Sequence, residues 1–536
     1  MTESSTHVAH PTAENVRRPL SLSLSDAKML LFGLGLATAV EFYTFDAVNL
    51  VLPDMAGSFG ISRDQATWIL TTYSSTLFFG VPLSIWLAAH LRHRRYIIGS
   101  VALFAIASIG SSLSPTFESL LFWRAIEGFA GSGLTMWWRA SIYMLVDREY
   151  RSASLMRVSV MLYLATVAGL LYSGFVTDNF TWRLIFIPNV LLAIAAITVL
   201  LRYYPDVPPS SDSRVANVDK VGIGLLGICV VSLQIMLSRG EIDDWFGSPL
   251  IRGLGWISVA ALVLFIAWEA SGYNRYPLLR LQLIRTRPVL ASTFLGIFAG
   301  TILSGSLYAL PEYLRSVDPN RLSATDAGRL ICVYALTAAA IRPFVVNGIA
   351  RFGQRKAIAF AFTMLVLSML VFARLITSAT PEIYYALPLA LYALCLAPML
   401  SSIGSGTVGK VDAASQLDAV SIYMTFRQFG TSLGVTLASI VLHRRETLHS
   451  SRLYEHLHAT HGPLVAWMNT VAGQIVGRAG TSSIDARQMA LKFLSDVGAR
   501  QASTLAYADV FYFMAAIGVV ALCIVPLMPP SPVVKK

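Results

Sequence analysis

Charge is scarce in this chain. Of its 536 residues only 13% are Asp, Glu, Lys or Arg, while 55% are hydrophobic. Soluble domains carry roughly 25% charged residues, so the composition excludes a large soluble enzyme and points to an integral membrane protein. Cysteine is sparse too. Cys229, Cys332, Cys395 and Cys523 each lie in an apolar run without paired spacing, which reads as small core residues and excludes a disulfide framework or thiolate metal centre. His456, His458 and His461 fall close together but lack a second ligand cluster, so no metal is expected. No Walker loop, HExxH or GxSxG is present, and nothing supports an enzyme or a cofactor. The polar tail to Asp26 holds Arg17 and Arg18 but no short apolar region with a cleavage site, so no cleaved signal peptide is expected.

The net charge of +11 would suit nucleic acid if the basic residues formed a patch. They fall instead in alternate loops: His90 to Arg95, Arg148 and Arg151, Arg214 and Lys220, Arg275 to Arg287, Arg351 to Lys356, and Lys410. That is the positive-inside pattern of a multi-pass protein in a lipid bilayer, and it places both termini in the cytoplasm. Nucleic acid is not an expected partner.

Hydropathy and length give about fourteen spans, the first at 29–52, the fourth at 118–145, the last two at 414–442 and 505–528. The expected fold is an all-α membrane protein divided into a cytoplasmic tail (1–28), a six-helix half (29–202), a connector with two inserted helices (203–287) and a second six-helix half (288–536). The basic loops HLRHRRYIIG and ARFGQRKAIA stand at corresponding places in the two halves, a weak internal repeat of the kind that alternating-access transporters are built from. Between the last two spans, 443–504 is a long polar excursion with helical spacing from His443 and from Asp485; its length argues that it folds and docks a partner.

The charges that do enter the membrane carry the functional reading. The first span holds Glu41 near mid-depth and Asp46 farther out, with Asn49 one turn beyond. A carboxylate in hydrocarbon is costly unless paired, protonated or facing a polar cavity, so each is a candidate proton site, with an interfacial position the alternative for Asp46. In the fourth span Arg124 and Glu127 are spaced i, i+3 and share a face. They are either a proton-linked pair or an ion pair that only neutralises itself. Arg139 follows two tryptophans and either snorkels to the surface or meets substrate. Arg427, with Gln428, falls mid-span and is expected at the cavity; Tyr43 joins Asn49 as a further candidate lining residue. Glu312 reads as interfacial, at an outer helix end.

Several stretches together resemble the 14-span drug:proton antiporter branch of the major facilitator superfamily, the EmrB/QacA type. They are Arg124-Ala-Ile-Glu-Gly128, Thr177-Asp-Asn-Phe-Thr-Trp-Arg183, Leu233-Gln-Ile-Met-Leu-Ser-Arg-Gly240, Trp268-Glu269, Arg427-Gln-Phe-Gly-Thr-Ser-Leu-Gly434 and Arg444-Arg-Glu446. The resemblance implies proton-driven export from the inner membrane, with a periplasmic membrane-fusion adaptor and an outer-membrane channel as partners. The sequence departs from the family pattern at telling places. Thr44 stands where the first-span motif has Asp, and Glu127 replaces a Gln. Ile85, Ala89, His90 and Arg92 replace the first Gly, the Asp, the Arg and the second Gly of the basic-loop motif, and the fifth span reads Gly169-Leu-Leu-Tyr-Ser-Gly174 without the usual Pro. The expected function is therefore proton-coupled efflux of amphipathic, lipophilic small molecules, anionic or phenolic ones favoured by the membrane arginines. Glu41, Asp46 and Glu127 would be the proton sites, Arg124 their counter-charge, and Arg427, Gln428, Tyr43, Asn49 and Arg139 the cavity residues. A proton-coupled uptake symporter and a non-transporting sensor or scaffold remain open alternatives.

Overall fold

A chain that crosses hydrocarbon must satisfy its backbone N–H and C=O groups internally, and helices do so within one segment. In the computed structural model the described residues are 24–147, 149–206, 219–241, 243–274, 277–317, 322–377, 380–408, 411, 415–455, 462–479 and 482–529. Arg17, Arg18, Arg148, Arg214, Arg275, Lys410, His456, His458, His461, Lys535 and Lys536, with the connector at 207–218, lie outside them.

Among the described residues there are fifteen α-helices and no strand. They are α1 (Leu24–Phe59), α2 (Arg63–Leu91), α3 (His93–Ser112), α4 (Phe117–Leu145), α5 (Arg151–Asn179), α6 (Ile187–Tyr203), α7 (Lys220–Arg239) and α8 (Pro249–Ala270). Then come α9 (Arg287–Glu312), α10 (Ala324–Phe352), α11 (Gln354–Leu375), α12 (Ala386–Val408), α13 (Gln416–Glu455), α14 (Gly462–Ala479) and α15 (Ser483–Ile524). Among the described residues twelve helices are long and apolar enough to cross a membrane. The other two expected spans, α4 and α13, have 29 and 40 residues and pack among the twelve, so a total of fourteen is compatible with the structure. They are less apolar because they carry Arg124, Glu127, Arg139 and Arg427, and because α13 runs on into a polar extension.

Starts are marked by capping residues. Ser62 and Gln65 form a reciprocal capping box on α2, and Thr116, Asp219, Ser323 and Ser482 cap α4, α7, α10 and α15. Packing gathers α1–α6 into one bundle and α9–α13 with α15 into another, joined along two seams, α2 with α13 and α5 with α10. The α7–α8 pair lies outside, with α7 against α2. α9 and α13 cross closely. A Cβ added to Gly430 would strike the Ile297 carbonyl, and one on Gly300 the Arg427 carbonyl, so small residues let the two backbones touch.

The joints α2–α3 and α10–α11 show what the eroded loop motif costs. Gly353 links α10 to α11 at φ 84°, ψ 158°; at the corresponding joint Arg92 takes φ 67°, ψ 138°. The family pattern has Gly at position 92 because a side chain disfavours this backbone. Arg92→Gly is therefore expected to stabilise the protein by about 0.5–1 kcal/mol. In detergent, a melting temperature about 1–2 °C above wild type would show it. The exposed Arg92–Asp206 pair that the change removes offsets little of this.

The excursion at 443–504 is a continuation of the membrane helices. Instead of ending near 442, α13 runs to Glu455, and α15 begins at Ser483 rather than near 505. They are tied by Asp509, which meets His449 at 2.9 Å and Arg445 at 3.5 Å. Between them α14 packs on α15, with Trp467 stacked on Phe493 at 6.1 Å.

Candidate functional site

Between the two bundles lies a cavity of about 130 Å³. From α1 it receives Glu41, Phe42, Phe45 and Asp46, whose i, i+1, i+4, i+5 spacing puts them on one helix face. Tyr73, Ser74 and Leu77 of α2 and Tyr163 and Thr166 of α5 complete the first bundle's side. The second contributes Ser304 and Leu307 from α9, Tyr334 from α10, Tyr392 from α12, and Arg427, Gln428 and Thr431 from α13. The lining thus combines two carboxyls, a guanidinium, four tyrosines and apolar walls.

The two carboxyls have different neighbours. Glu41 is 8% exposed, lies beside Thr135, and sits in the field of Arg427 and Arg139. Asp46, 6% exposed, is faced by the hydroxyls of Thr166 in its own bundle and Tyr334 in the other. Arg427 and Arg139 are close enough to repel each other, and Arg342 adds to that field. Arg342 is anchored: it donates to the Ala397 carbonyl at 2.9 Å, Ser401 Oγ at 2.7 Å and Ser159 Oγ of α5 at 3.2 Å. Glu41 Oε2, Tyr73 Oη, Tyr423 Oη and Arg427 Nε have no protein hydrogen-bond partner. They make this end of the cavity a polar, net cationic spot within an apolar surround.

Of the residues expected at the cavity, Glu41, Asp46, Arg427 and Gln428 line it. Tyr43 is turned the other way: its hydroxyl donates to the Ile185 carbonyl at 3.0 Å, inside the first bundle. Asn49 lies beyond the cavity's end and bonds back to the Phe45 carbonyl at 2.8 Å. Arg139 does not line the cavity either; its guanidinium lies 4.2 Å over the Trp138 ring, within the field of Glu41 and Arg427. Arg124 and Glu127 are fully buried behind the wall. Arg124 Nη1 meets Glu127 Oε2 at 2.7 Å and its Nε donates to the Ile69 carbonyl; Ser108 donates to Glu127 Oε1 at 2.7 Å, and Asn189 donates to Ser108. Tyr73 separates this network from the cavity, with Arg124 4.2 Å over its ring. The tyrosines are what the sequence reading missed. A hydroxyl in mid-span at Tyr73, Tyr163, Tyr334 and Tyr392 was the available signal.

One end of the cavity is shut. Where α1 terminates, Arg315 pairs with Asp54 and donates to the Leu50 carbonyl. Nearby, Asp178 accepts from the first two N–H groups of α10, Ala324 and Thr325, at 3.0 and 2.7 Å, a favourable place for an anion at a helix N-terminus. Arg63 meets Glu312 at 3.3 Å, and Ser439 meets Asp64 at 3.2 Å. Each contact joins one bundle to the other. Glu312, expected at an interface with water, is instead 4% exposed, covered by Arg63 from the start of α2 and bonded by Ser316.

Paired bundles around a central polar cavity describe a transporter architecture, and residues 34–435 match the sequence model described as Major Facilitator Superfamily. The chain belongs to that superfamily. As a facilitator it is a multi-pass membrane transporter of small molecules. It is 26% identical over 427 residues to the multidrug export protein EmrB of Escherichia coli K12, covering 80% of this chain and 82% of that protein. To the fatty acid resistance protein FarB of Neisseria gonorrhoeae it is 26% identical over 437 residues, covering 79% and 82%. Among solved structures, a bacterial homolog of the human lysosomal transporter Spinster, inward-facing and occupied, aligns with a TM-score of 0.55 at 15% identity, over 93% of this chain and 97% of that one. The human organic anion transporter MFSD10 aligns with a TM-score of 0.54 at 15% identity, over 92% and 99%. These two likenesses concern the fold.

Proposed function

We propose that this facilitator exports amphipathic, lipophilic compounds across the inner membrane in exchange for protons. The observation that carries the reading is the pair of carboxyls, Glu41 and Asp46, facing one cavity between two bundles at membrane depth. Intramembrane acids of this kind mark proton paths, and the export and resistance names of the relatives support the direction. Residues 29–202 and 288–536 are the two bodies that rock, and 203–287 links them. A drug-sized ligand needs a pocket of roughly 300–1,000 Å³, so the cavity of about 130 Å³ has to widen as the bundles part. With Arg427 on its wall and Arg139 behind, the widened cavity suits a lipophile with an anionic or phenolic head, since a low dielectric magnifies charge complementarity. Both termini are cytoplasmic in this reading. The bridged end of the cavity then faces outward, and the extension built from α13, α14 and α15 is where a periplasmic adaptor and, through it, an outer-membrane channel would join.

One observation favours a second reading, proton-coupled uptake: α5 is a single helix from Arg151 to Asn179, without the proline that the antiport motif carries. Purified protein in vesicles decides between them. With the vesicle lumen acidified so that protons leave through the cytoplasmic face, an exchanger loads a fluorescent lipophilic acid into the lumen, and a protonophore stops the loading. Loading that follows the proton gradient in the same direction as the protons would overturn export and establish symport.

A further inference from the structure

The inserted pair α7–α8 reaches the seam between the two bundles through a buried polar side chain of α7. Gln234 of α7 is buried, and its Oε1 accepts from Ser75 Oγ of α2 at 2.8 Å and from Ser432 Oγ of α13 at 2.7 Å. The two hydroxyls lie 3.2 Å apart, and the Gln234 amide donates to Ser238 one turn on at 2.9 Å. Ser75 and Ser432 belong to different bundles. Their chain neighbours Ser74 and Thr431 line the cavity, so the Gln234 oxygen lies directly behind the cavity wall, on the seam. Around it the contacts are apolar, with Phe78 against Phe429 at 5.5 Å and Leu226 and Val230 of α7 in one cluster with Ile422.

Such a site is poised between two states. A carbonyl oxygen in hydrocarbon has no water to replace a lost donor, and a two-donor arrangement this tight survives only while the two hydroxyls stay together. If α2 and α13 slide by more than about 1 Å, at least one bond exceeds hydrogen-bonding length. We infer that Gln234 is a positioning residue for transport: its oxygen pins a hydroxyl of each bundle, favours the conformation in which the α1-terminus end is shut, and has to release one of them in every cycle. The inserted helices, on this account, set the balance between conformations rather than only filling the bilayer beside the bundles. The inference rests on the reading that the bundles move against each other.

Hydrogen–deuterium exchange on the full-length protein in nanodiscs tests it, comparing wild type, Gln234→Leu and Gln234→Glu. Leu keeps the bulk and removes the acceptor; Glu keeps an acceptor. The Leu variant is expected to exchange faster in peptides at the bridged end (50–60 and 322–330) and slower in those at the opposite end of the cavity (155–163 and 338–345). That pattern corresponds to a roughly tenfold or larger shift between conformers for two lost buried bonds. The Glu variant is expected to match wild type. Gln234→Leu matching wild type, Gln234→Glu behaving like Leu, or exchange rising evenly through both bundles with a fall in melting temperature would each overturn the inference, the last by showing plain structural support. Failure of wild-type protein to move any lipophilic acid would instead count against the transport reading, and leaves the exchange pattern to be judged on its own.

Discussion

Asp46→Asn is expected to abolish proton-driven transport in vesicles, whereas Glu41→Gln is expected to retain part of it and to bind an anionic lipophile about tenfold more tightly. The two acids share a face of α1 five residues apart, but their neighbours give them opposite parts. Glu41, when ionised, is the anion that Arg427 and Arg139 face. An anionic head entering between those guanidiniums takes the place of the Glu41 carboxylate, so the ligand and a proton on Glu41 favour each other. By itself that linkage moves acid and anion the same way. Exchange requires a group whose protonation drives the conformational change, and Asp46 is placed for it: it sits on the seam, facing the Tyr334 hydroxyl of the second bundle and Thr166 of its own. Ionised, it is the stronger acceptor and draws the seam together; a neutral amide in its place would hold the seam with a fixed, weaker bond and could not cycle. Calorimetric binding and gradient-driven uptake, measured on both variants, separate the roles. Complete loss of coupling in Glu41→Gln with Asp46→Asn unimpaired would reverse the assignment.

What the sequence made legible, and what it did not, follows from the range over which each residue acts. Helices and spans are local, and hydropathy with caps such as Ser62 and Asp219 located them. The fifteen-helix count exceeds the expected spans through α14 alone, which lies within the folded excursion. The spans 414–442 and 505–528 are shorter than α13 and α15 because hydropathy registers only the apolar part of a helix, and the helical spacing from His443 and from Asp485 belongs to the polar continuations of the same two helices. Glu312 was misread for a tertiary reason. Its position near a helix end is visible in sequence, but the lid over it is Arg63 of another helix. Likewise Tyr43 and Asp46 lie three residues apart in one apolar span, and only the rotation of α1 against α5 and α6 decides which faces the cavity (Asp46) and which the Ile185 carbonyl (Tyr43). Arg92 was legible as a motif loss, and the positive φ that makes the loss costly is visible only in the folded joint.

The fourth-span pair admits two readings in sequence, and its surroundings favour one of them. Arg124→Leu is expected to destabilise the protein by about 3–5 kcal/mol, because it leaves Glu127 buried without its cation; Glu127→Gln, which leaves the Arg124 charge on the Ile69 carbonyl, the Tyr73 ring and the Gln oxygen, is expected to cost less and to keep proton-driven transport. Every acceptor position of the Glu127 carboxylate that the structure fills is filled from within the first bundle, by Arg124 and by Ser108, which is itself held by Asn189. A Gln at position 127 preserves the carbonyl for one of these donors and matches the residue of the family pattern, so the network re-forms with a neutral member. Tyr73 stands between this network and the cavity, with its ring under Arg124 and its hydroxyl unpartnered by protein. On this expectation the pair serves to orient Tyr73, and through it the cavity wall next to Glu41, and need not release a proton. Thermal unfolding in detergent checks the first expectation and vesicle transport the second. Loss of proton coupling in a Glu127→Gln protein that melts like wild type would return Glu127 to the proton path, with Tyr73 as its link to the cavity.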